Sequence, residues 1–456
     1  MHVYFSGIGG TGIGPLALIA KQAGYEVSGS DEKDSQYIKY LRSLGINDIH
    51  VGQTREKIAA VHARKPIDWF VYTSALPKNH PEAEFSQQSK IKLSRRDEFI
   101  NEILSQKQLK MVAVAGTHGK TTTTAMVIWL FKQLKMPISY SVGAKVSFGD
   151  MGQYDARSEY FIYEADEFDR NFLAFKPAMS IISGVAWDHH EVFKTQDDYF
   201  DAFKQFIAQS HEVVIWNNDA QKLDLLAPSQ NLSGAVGNRI AERQVFAAGS
   251  SNSTPGLFVE SENNTFLSKI KLIGRYNRFD AWLAVRAVAH LTQESPEKLV
   301  KIISDFPGVS RRFEKIAENL YSDYAHTPDK IRGVMSIALE TAQKTAQKIV
   351  IIYEPLTNRR MHYMRDQHKD VFDGVDALYW VPSYLAREDP AQPVLSPAEL
   401  IKHLAAPAQA VAKPMELDDQ LKAVIKEHLA NGDLVIGLSG GGGSSLDEWL
   451  RQNFGS

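Results

Sequence analysis

A glycine turn that carries a lysine and several threonines is the stretch of this chain best suited to chemistry. It follows an apolar segment, residues 111–115, and precedes an amphipathic segment, residues 125–132, which predict a buried strand and a helix. A strand, a glycine turn and a helix start in this order form an anion site, because backbone N–H groups converge there and the helix dipole adds positive charge. Lys120 can then reach terminal phosphates, and the Thr121 hydroxyl can ligate Mg²⁺. The predicted phosphate-binding residues are Gly116, Thr117, His118, Gly119, Lys120, Thr121 and Thr122.

This phosphate loop is shorter than the general pattern, since its glycines enclose two residues and not four. A turn that binds nothing is the alternative. Residues 160–167 favour the binding site, because they predict an apolar strand that ends in acids, and a carboxylate at a strand end beside a phosphate loop is a natural Mg²⁺ ligand. His189 follows a further strand, residues 178–183, and both a metal-bridging role and a surface loop are open for it.

Another glycine turn opens the chain, and because it comes earlier in the sequence than the phosphate loop we call it the first glycine turn. A strand at residues 2–6, a helix at 15–23 and a strand at 25–28 surround it, and Asp31 lies about twenty residues on, where a ribose hydroxyl would bind. The pattern is typical of NAD or FAD sites, but the same geometry holds any nucleotide diphosphate. The phosphate loop at residues 116–122 makes a UDP-type substrate as plausible as a redox cofactor for the first glycine turn. The glycines of this turn are Gly7, Gly9, Gly10 and Gly12.

Two hydroxyl residues, Thr73 and Ser74, end a predicted strand at residues 69–73. Ligands bind at the carboxyl ends of strands in an open parallel sheet, so both residues are candidate contacts to the ligand of the first turn. Capping of the next segment is the alternative.

Composition excludes several functions. The chain has 456 residues, no cysteine and a formal net charge of -3. Thiol catalysis, disulfides and thiolate metal sites are excluded, and binding of nucleic acid by bulk positive charge is not favoured. No apolar run is long enough to span a bilayer, and the first residues carry no signal-peptide pattern, so we expect a cytoplasmic protein without a membrane partner.

Alternating strand and helix patterns predict an α/β fold with parallel sheets throughout. Further strands are predicted at 320–324, 348–353, 377–381 and 434–438, helices at 276–291 and 296–306, and extended structure over 244–272. A glycine run at 440–443 is a flexible loop near a ligand or a third phosphate cradle. The predicted domains are 1–108 (Rossmann-like), 109–311 (a phosphate-loop ATPase domain) and 312–456 (Rossmann-like).

The order of these motifs resembles the muramyl (Mur) ligases, ATP-dependent enzymes that build the peptide of bacterial peptidoglycan. The resemblance rests on residues 115–124, on the first glycine turn and on the acids at 164–167, with Asp169 and Phe172 behind them. It implies an amide ligase of cell-wall synthesis with ATP and Mg²⁺ as cofactors. The implied partners are UDP-N-acetylmuramate and an amino acid, most simply L-alanine, and the implied assembly is a monomer or a weak homodimer.

The resemblance also implies residue roles. Lys120 would bind the ATP phosphates, Thr121 and Glu164 a first Mg²⁺, and His189 a second. Arg312 would approach the phosphates. Residues implied for the adenine, the ATP ribose and the incoming amino acid are Asn277, Asp323, His326, Arg359 and Arg360. Residues 306–312 would form a hinge that closes the third domain and excludes water.

Several positions depart from the family pattern. Tyr276 and Asp280 stand where the family has His and Asn, and Gly184 stands where it usually has Asn. Segments 324–328 and 354–357 differ from the alanine-adding members, and Glu354 with the glycine-rich end is similar to the tripeptide-adding members. The amine donor therefore stays open between alanine, glycine, serine and a tripeptide. A nicotinamide-dependent oxidoreductase and a non-catalytic binding protein are the rivals from other classes.

Overall fold

Three sheets covered by helices make up the fold in the computed structural model. The structure describes residues 1–73, 76–77, 79–189, 192–226, 239–240 (backbone), 256–385 and 388–455. The prediction of an α/β fold with three mainly parallel sheets is confirmed. Among the described residues, no helix has the length and apolar character that crossing a membrane requires.

The first sheet has the strand order β3-β2-β1-β4-β5, and every pair in it is parallel. Its strands are β1 (His2–Ser6), β2 (Glu26–Asp31), β3 (Ile49–Val51), β4 (Trp69–Tyr72) and β5 (Lys92–Arg95). Its helices are α1 (Gly14–Gln22), α2 (Gln36–Ser43), α3 (Arg55–Arg64), α4 (Pro81–Gln88) and α5 (Arg96–Lys107).

The second sheet has the order β12-β13-β11-β10-β6-β9-β7-β8, and only its two edge strands are antiparallel to their neighbours. Its strands are β6 (Lys110–Ala115), β7 (Ser139–Ser141), β8 (Gly152–Gln153), β9 (Tyr160–Glu164), β10 (Met179–Ile182), β11 (Glu212–Trp216), β12 (Arg239–Ile240) and β13 (Gly256–Glu260). Its helices are α6 (Lys120–Gln133), α7 (Gln196–Gln209), α8 (Asn217–Lys222), α9 (Arg275–Thr292) and α10 (Pro296–Ile303), with 3₁₀ turns at Phe168–Ala174 and Leu267–Lys269.

The third sheet has the order β14-β15-β19-β16-β17-β18, with β14 antiparallel to its neighbour and the other pairs parallel. Its strands are β14 (Glu314–Ala317), β15 (Leu320–Asp323), β16 (Ile349–Glu354), β17 (Ala377–Trp380), β18 (Ala412–Pro414) and β19 (Leu434–Ser439). Its helices are α11 (Pro328–Thr345), α12 (Asn358–Met364), α13 (Pro397–Ile401), α14 (Ala406–Val411), α15 (Asp419–Ala430) and α16 (Leu446–Phe454), with a 3₁₀ turn at Arg365–His368.

Most predicted elements are confirmed, but three predictions are wrong in detail. Helix α6 begins at Lys120, five residues before the amphipathic pattern starts, because a run of threonines hides its first turn. Helix α10 ends at Ile303, since Phe306 precedes a proline, which disfavours helical backbone. Extended structure holds for β13, whereas the chain makes a 3₁₀ turn at Leu267–Lys269; residues 244–255 lie outside the described residues.

The chain divides into two compact units. The first comprises Met1–Ile270 and Asp280–Phe306 and holds the first two sheets; the second comprises Lys271–Phe279 and the chain from Pro307 onward and holds the third. The three domain ranges proposed from the sequence stay a prediction.

The first two sheets pack together within the first unit. Helix α1 lies against β8, and the backbone of Gly152 approaches that of Pro15 so closely that a side chain at Gly152 would overlap it. The backbone N–H of Tyr154 donates to the Gln22 side chain at 2.7 Å. The Asn101 side chain donates to the Ala174 carbonyl at 2.9 Å. The two glycine turns therefore belong to one packed body.

A buried carboxylate, Glu82 of α4, organises the first sheet near its glycine turn. Its side chain is fully buried and accepts hydrogen bonds from the hydroxyls of Tyr4, Ser6 and Ser30 at 2.7, 2.7 and 2.8 Å. Burial of a carboxylate is costly unless donors surround it, and these hydroxyls supply that compensation. Ser6 and Ser30 are the residues directly before the glycine turn and Asp31, so the network holds the backbone on both sides of the turn.

Candidate active site

The phosphate loop lies at the carboxyl end of β6, between β10 and β9 in the second sheet. Gly116 has φ +148° and Gly119 has φ +77°, conformations that favour glycine. A side chain at Gly116 would also lie 2.9 Å from the Gly184 carbonyl oxygen. The first turn of α6 then starts at Lys120, so its free N–H groups face the loop. A glycine turn followed by a helix start is the backbone arrangement that binds anions, and the phosphate-binding role of these residues stays a prediction.

Lys120 is held between the loop and an acid. Its Nζ donates to the Gly116 carbonyl at 2.6 Å and to Glu167 Oε2 at 2.6 Å. The Lys120 side chain is 15% exposed and the Glu167 side chain 0%. Burial alone would raise the pKa of Glu167, but the charges of Lys120 and His189 outweigh burial and lower it to about 2. The pair is therefore ionised across the neutral range.

Thr121 and Glu164 form a second polar pair beside the loop. The Thr121 hydroxyl donates to Glu164 Oε1 at 2.7 Å, and the backbone N–H of Gly143 donates to Glu164 Oε2 at 2.8 Å. These are the hydroxyl and the carboxylate that the sequence assigns to Mg²⁺, and both oxygens are hard donors of the kind that this ion prefers. Their role as ligands stays a prediction.

Three further groups could hold a metal ion together. Ligand atoms of Asp166, Glu167 and His189 lie within 4.8 Å of one another, and His189 Nε2 is 3.5 Å from Glu167 Oε1. Sequence reasoning assigned Glu164 and His189 but missed the two acids between them. The available signal was the position of three acids within four residues at a strand end. His190 and Glu191, next to His189, lie outside the described residues.

The turn residues Thr117 and His118 make structural contacts. Thr117 Oγ1 shares a hydrogen bond with the Tyr199 hydroxyl at 2.7 Å and donates to the Ala186 carbonyl at 2.7 Å. The His118 ring covers Gly184, where any side chain would overlap it. Gly184 replaces the usual family Asn, and the structure shows that the His118 ring fills the space beside it. Thr122 lies half-buried in the first turn of α6.

Asp280, another departure from the family pattern, also reaches the phosphate loop. It lies on α9 and is 8% exposed, and a Cβ at Gly119 would lie 2.6 Å from its Oδ1. Burial raises the pKa of Asp280 well above its usual 3.8, and the nearby Thr123 side chain opposes that rise. A protonated carboxyl offers one donor and one acceptor, as the family Asn does.

We therefore expect Asp280→Asn to stabilise the protein at neutral pH. The raised pKa means that the folded state retains a proton that the unfolded chain has lost, so stability falls as pH rises from about 4 through the folded-state pKa. The neutral amide avoids this loss, and we expect a gain of about 1–3 kcal/mol at pH 8 that disappears near pH 3. Urea unfolding at both pH values measures it.

A matched control for this substitution is Asp201→Asn, because the Asp201 side chain is 71% exposed. It should change stability by less than about 0.5 kcal/mol at either pH. Lower stability of the Asp280→Asn protein at pH 8 would contradict the expectation.

The first glycine turn is held by the end of β2. The N–H groups of Gly7 and Ile8 donate to the Ser30 carbonyl at 2.8 and 2.9 Å, and that of Gly9 donates to Asp31 Oδ2 at 2.9 Å. Asp31 therefore binds the turn itself. Thr73 lies beside Gly7, with its Cγ2 3.7 Å from the position of an added Cβ.

The remaining members of this turn are open to a ligand. Gly10 is exposed and Gly12 is partly exposed. Ser74 lies outside the described residues. The substrate-binding roles of all these positions stay predictions.

In the third sheet, polar groups meet at the carboxyl ends of three neighbouring strands. His326 follows β15 and lies against Gly440 after β19, where a Cβ would be 2.6 Å from its Nδ1. Arg360 Nη1 is 3.3 Å from His326 Nε2, whereas Arg359 is exposed and its backbone N–H donates to Glu388 at 2.9 Å. The structure thus brings only one of the two arginines to His326.

Glu354 and the glycine-rich end are joined in the same sheet. Ser439 Oγ donates to Glu354 Oε2 at 2.5 Å, and the N–H of Leu446 donates to Glu354 Oε1 at 3.1 Å. Arg311 donates to the carbonyls of Ser439 and Gly441 at 2.9 and 2.8 Å. These bonds hold both ends of the glycine run in place, so the run is an anchored loop.

Three other predicted residues lie in the second unit. Arg312 packs over the Tyr324 ring at 4.7 Å. Asp323 is buried and accepts the backbone N–H groups of Phe313 and Ala325 at 2.7 and 2.8 Å. Asn277 Nδ2 donates to the Ile273 carbonyl at 2.9 Å. Their roles toward ATP stay predictions.

The site combines a phosphate loop, acids around it, and the first glycine turn in the same packed body. This combination is typical of a nucleotide-dependent enzyme. Residues 2–108 match the description "Mur ligase family, catalytic domain", and residues 114–288 match "Mur ligase middle domain". The UDP-N-acetylmuramate–L-alanine ligase of Rickettsia bellii is 30% identical over 100% of this chain and 96% of its own. That of Clostridium perfringens is 32% identical over 85% of this chain and 84% of its own.

Two solved structures share the fold. The UDP-N-acetylmuramate–alanine ligase of Thermotoga maritima has a TM-score of 0.71 at 23% identity, covering 99% of this chain and 98% of that one. A murein peptide ligase of Psychrobacter arcticus has a TM-score of 0.61 at 22% identity, covering 97% and 96%. The chain belongs to the Mur ligase family, and it is an ATP-dependent ligase that forms an amide bond. The resemblance stated from the motifs is confirmed.

Proposed function

We propose that the protein joins the carboxylate of UDP-N-acetylmuramate to the amino group of L-alanine, with conversion of ATP to ADP and phosphate, in peptidoglycan synthesis. The observation that carries this proposal is the pairing of two glycine turns in one packed body, each at the carboxyl end of a strand in its own parallel sheet. Full-length similarity to alanine ligases supports the choice of substrates.

The reaction balances in two steps. A carboxylate oxygen of the sugar substrate attacks the γ-phosphorus of ATP, and ADP leaves. The alanine nitrogen then attacks the carbonyl carbon of the acyl phosphate, loses a proton, and inorganic phosphate leaves as the amide forms. Lys120 would offset negative charge on the transferring phosphoryl group, and positioning supplies most of the remaining rate enhancement.

The donor set fits Mg²⁺ as the companion of ATP. Thr121 and Glu164 would hold one ion, and His189 with Asp166 and Glu167 would hold a second. When bound, Mg²⁺ supplies charge neutralisation at the phosphates. Hydroxyl and carboxylate oxygens are the donors that Mg²⁺ prefers, and the His189 imidazole is the one softer donor in the set.

A tripeptide is the second candidate for the amine donor. The hydrogen bond between Glu354 and Ser439 joins the two features that depart from the alanine-adding members. The oxidoreductase alternative leaves Lys120 and its acids without a role. A cytoplasmic location and a monomeric or weakly dimeric state complete the proposal.

Phosphate release tests the proposal directly. Protein, ATP, Mg²⁺ and UDP-N-acetylmuramate are mixed with L-alanine, glycine, L-serine or a tripeptide, and inorganic phosphate is measured with time. We expect release that depends on L-alanine and is absent with UDP-N-acetylglucosamine, which lacks the carboxylate. Release with the tripeptide alone would replace alanine by the second candidate. Absence of release with every amine would overturn the ligase assignment.

A further inference from the structure

The hydroxyl of Tyr199 lies directly behind the phosphate loop. Tyr199 is on α7, and its side chain is fully buried. Its Oη is 2.7 Å from Thr117 Oγ1, in the loop after β6, and 3.5 Å from Glu167 Oε1, beyond the end of β9. Sequence reasoning gave Tyr199 no role, because 82 positions separate it from Thr117. One buried hydroxyl thus approaches both the phosphate loop and the acid that pairs with Lys120.

The bonds of Thr117 decide where the Tyr199 proton points. A threonine hydroxyl donates one hydrogen bond and accepts two. Thr117 Oγ1 donates to the Ala186 carbonyl at 2.7 Å and accepts the backbone N–H of Ala186 at 2.9 Å, so one acceptor position is left for Tyr199. The 2.7 Å to Thr117 is the preferred length of a bond between hydroxyls, whereas the 3.5 Å to Glu167 is at the limit. The Tyr199 hydroxyl therefore donates to Thr117.

The ring of Tyr199 packs among aromatic side chains, and only its hydroxyl is polar. The ring meets that of Phe193 edge-on at 4.9 Å between centroids and lies 5.2 Å from that of Phe203. A phenylalanine would make the same ring contacts. Burial, and to a smaller extent the negative charge of Glu167, raise the pKa of Tyr199 well above its usual 10, so the hydroxyl keeps its proton. What the hydroxyl adds to the packing is the bond to Thr117.

Thr117 joins the phosphate loop to the segment that leads from β10 to His189. Its backbone N–H donates to the Gly184 carbonyl at 2.9 Å, and its hydroxyl bonds both backbone groups of Ala186. With Tyr199 as the third partner, every hydrogen-bonding position of this hydroxyl is used inside the protein. Thr117 therefore determines how the two loops lie against each other, and Tyr199 completes its bonding.

We propose that Tyr199 is a positioning residue for phosphoryl transfer, whose hydroxyl fixes the phosphate loop against the segment that carries His189 through its bond to Thr117. The inference rests on the proposed function, in which Lys120 and a metal ion at His189 act on the phosphates of ATP. Lys120 follows Thr117 by three residues, so a shift of Thr117 is passed on to the ammonium. A displacement of about 1 Å among reacting groups can cost about a hundredfold in rate.

A role in stability alone is the alternative. In that case loss of the hydroxyl would lower the urea concentration at which the protein unfolds, but each folded molecule would turn over as the wild type does. The kinetic constants of folded protein therefore separate the two roles.

The experiment measures phosphate release by the wild-type full chain and by Tyr199→Phe, with ATP, Mg²⁺, UDP-N-acetylmuramate and L-alanine. We expect kcat to fall about tenfold to a hundredfold, because the reacting groups are displaced. KM for UDP-N-acetylmuramate should change less than about twofold, because the variant leaves the first sheet untouched. Urea unfolding of both proteins gives the folded fraction under the assay conditions, and the retained ring contacts allow the variant to fold.

A double-mutant cycle with Thr117→Val identifies the partner of the hydroxyl. Valine has the shape of threonine but lacks the oxygen that accepts the Tyr199 bond. We expect the double variant to have a kcat within about twofold of that of Thr117→Val, because Tyr199→Phe then removes a donor whose acceptor is already gone. Thr117→Ala, which also lacks the oxygen, replaces the valine variant if that one does not fold.

Tyr379→Phe is the matched control. Tyr379 is buried in the third sheet, and its hydroxyl is hydrogen-bonded to His428 Nε2 at 2.8 Å. The substitution therefore also removes one bonded hydroxyl from a buried tyrosine, at a residue without an assigned role in the reaction. It should keep the kcat and the KM of the wild type.

Two results would overturn the inference and leave the proposed function intact. One is an active wild type with a Tyr199→Phe variant whose kcat lies within about twofold of it. The other is a double variant in which Tyr199→Phe lowers kcat by its full factor again, because the hydroxyl would then act elsewhere than through Thr117. A wild type that releases no phosphate with any amine would instead overturn the proposed function, and the inference with it.

Discussion

Lys120→Ala is expected to lower the rate of ATP turnover by about a thousandfold and to leave binding of the uridine nucleotide unchanged. The Lys120 ammonium already lies at the loop, 2.6 Å from the Gly116 carbonyl oxygen, and no other lysine lies in that turn. Loss of one charged group that stabilises a transferring phosphoryl group costs about 10²- to 10³-fold or more in rate. Phosphate release measures turnover, and titration with UDP-N-acetylmuramate measures the first site.

The matched control is Lys110→Ala, on the same strand as the loop. Lys110 pairs with Glu159 at 2.8 Å, but both side chains are more than half exposed. This variant should keep wild-type turnover. If Lys120→Ala lost binding of the uridine nucleotide and kept ATP turnover, the assignment of the two glycine turns would be reversed.

Glu167→Gln is expected to remove about 3 kcal/mol of stability at pH 7. The buried carboxylate is ionised and paired with Lys120, and the neutral amide would remove the negative charge that contacts that ammonium directly, leaving only the more distant charges of Asp166 and Glu164. The pKa of Glu167 is lowered from 4.5 to about 2, so its contribution is fully present above about pH 5 and is lost as pH falls from 4.5 toward 2. The stability difference between the wild type and the variant should shrink over that same window.

Chemical denaturation at pH 7 and at pH 3 measures this difference. Glu159→Gln serves as the control, because its exposed pair with Lys110 should contribute less than about 1 kcal/mol at either pH. A Glu167→Gln protein as stable as the wild type at pH 7 would show that the pair adds nothing. A difference that grew toward pH 3 would contradict the lowered pKa.

The phosphate loop could be predicted because its signals are local. A strand, two glycines, Lys120 and Thr121 follow one another within a few residues, and backbone geometry alone then determines where the loop lies. The same holds for the first turn and for the parallel order of strands around it. Family resemblance added Glu164, which the structure places in contact with Thr121.

The partners of these residues could not be predicted in the same way. Asp166 and Glu167 lie beyond the end of β9 at Glu164, where the chain has left the strand conformation, so strand alternation does not reveal which acid reaches Lys120. Asp280 approaches Gly119 from a helix about 160 residues away in sequence. Such contacts depend on packing between distant segments, for which a single sequence contains no periodic signal.

Two neighbouring arginines on α12, beside the third sheet, could not be distinguished from the sequence either. Arg359 and Arg360 look equivalent in sequence, but α12 begins at Asn358 after Thr357, which has φ +63°. The direction of this first helical turn decides which arginine meets His326. The family resemblance assigns both arginines to the incoming amino acid, and the sequence does not indicate which of them reaches His326.

The hydroxyl network around Glu82 has a thermodynamic consequence for the first sheet. Because Ser6 and Ser30 are tied to one buried carboxylate, the backbone around the glycine turn is rigid before any nucleotide arrives. The backbone around the first glycine turn therefore loses its conformational entropy during folding and not when the nucleotide binds. Nucleotide capture by the first sheet should accordingly proceed by lock-and-key encounter, with an association rate that shows no slow ordering phase.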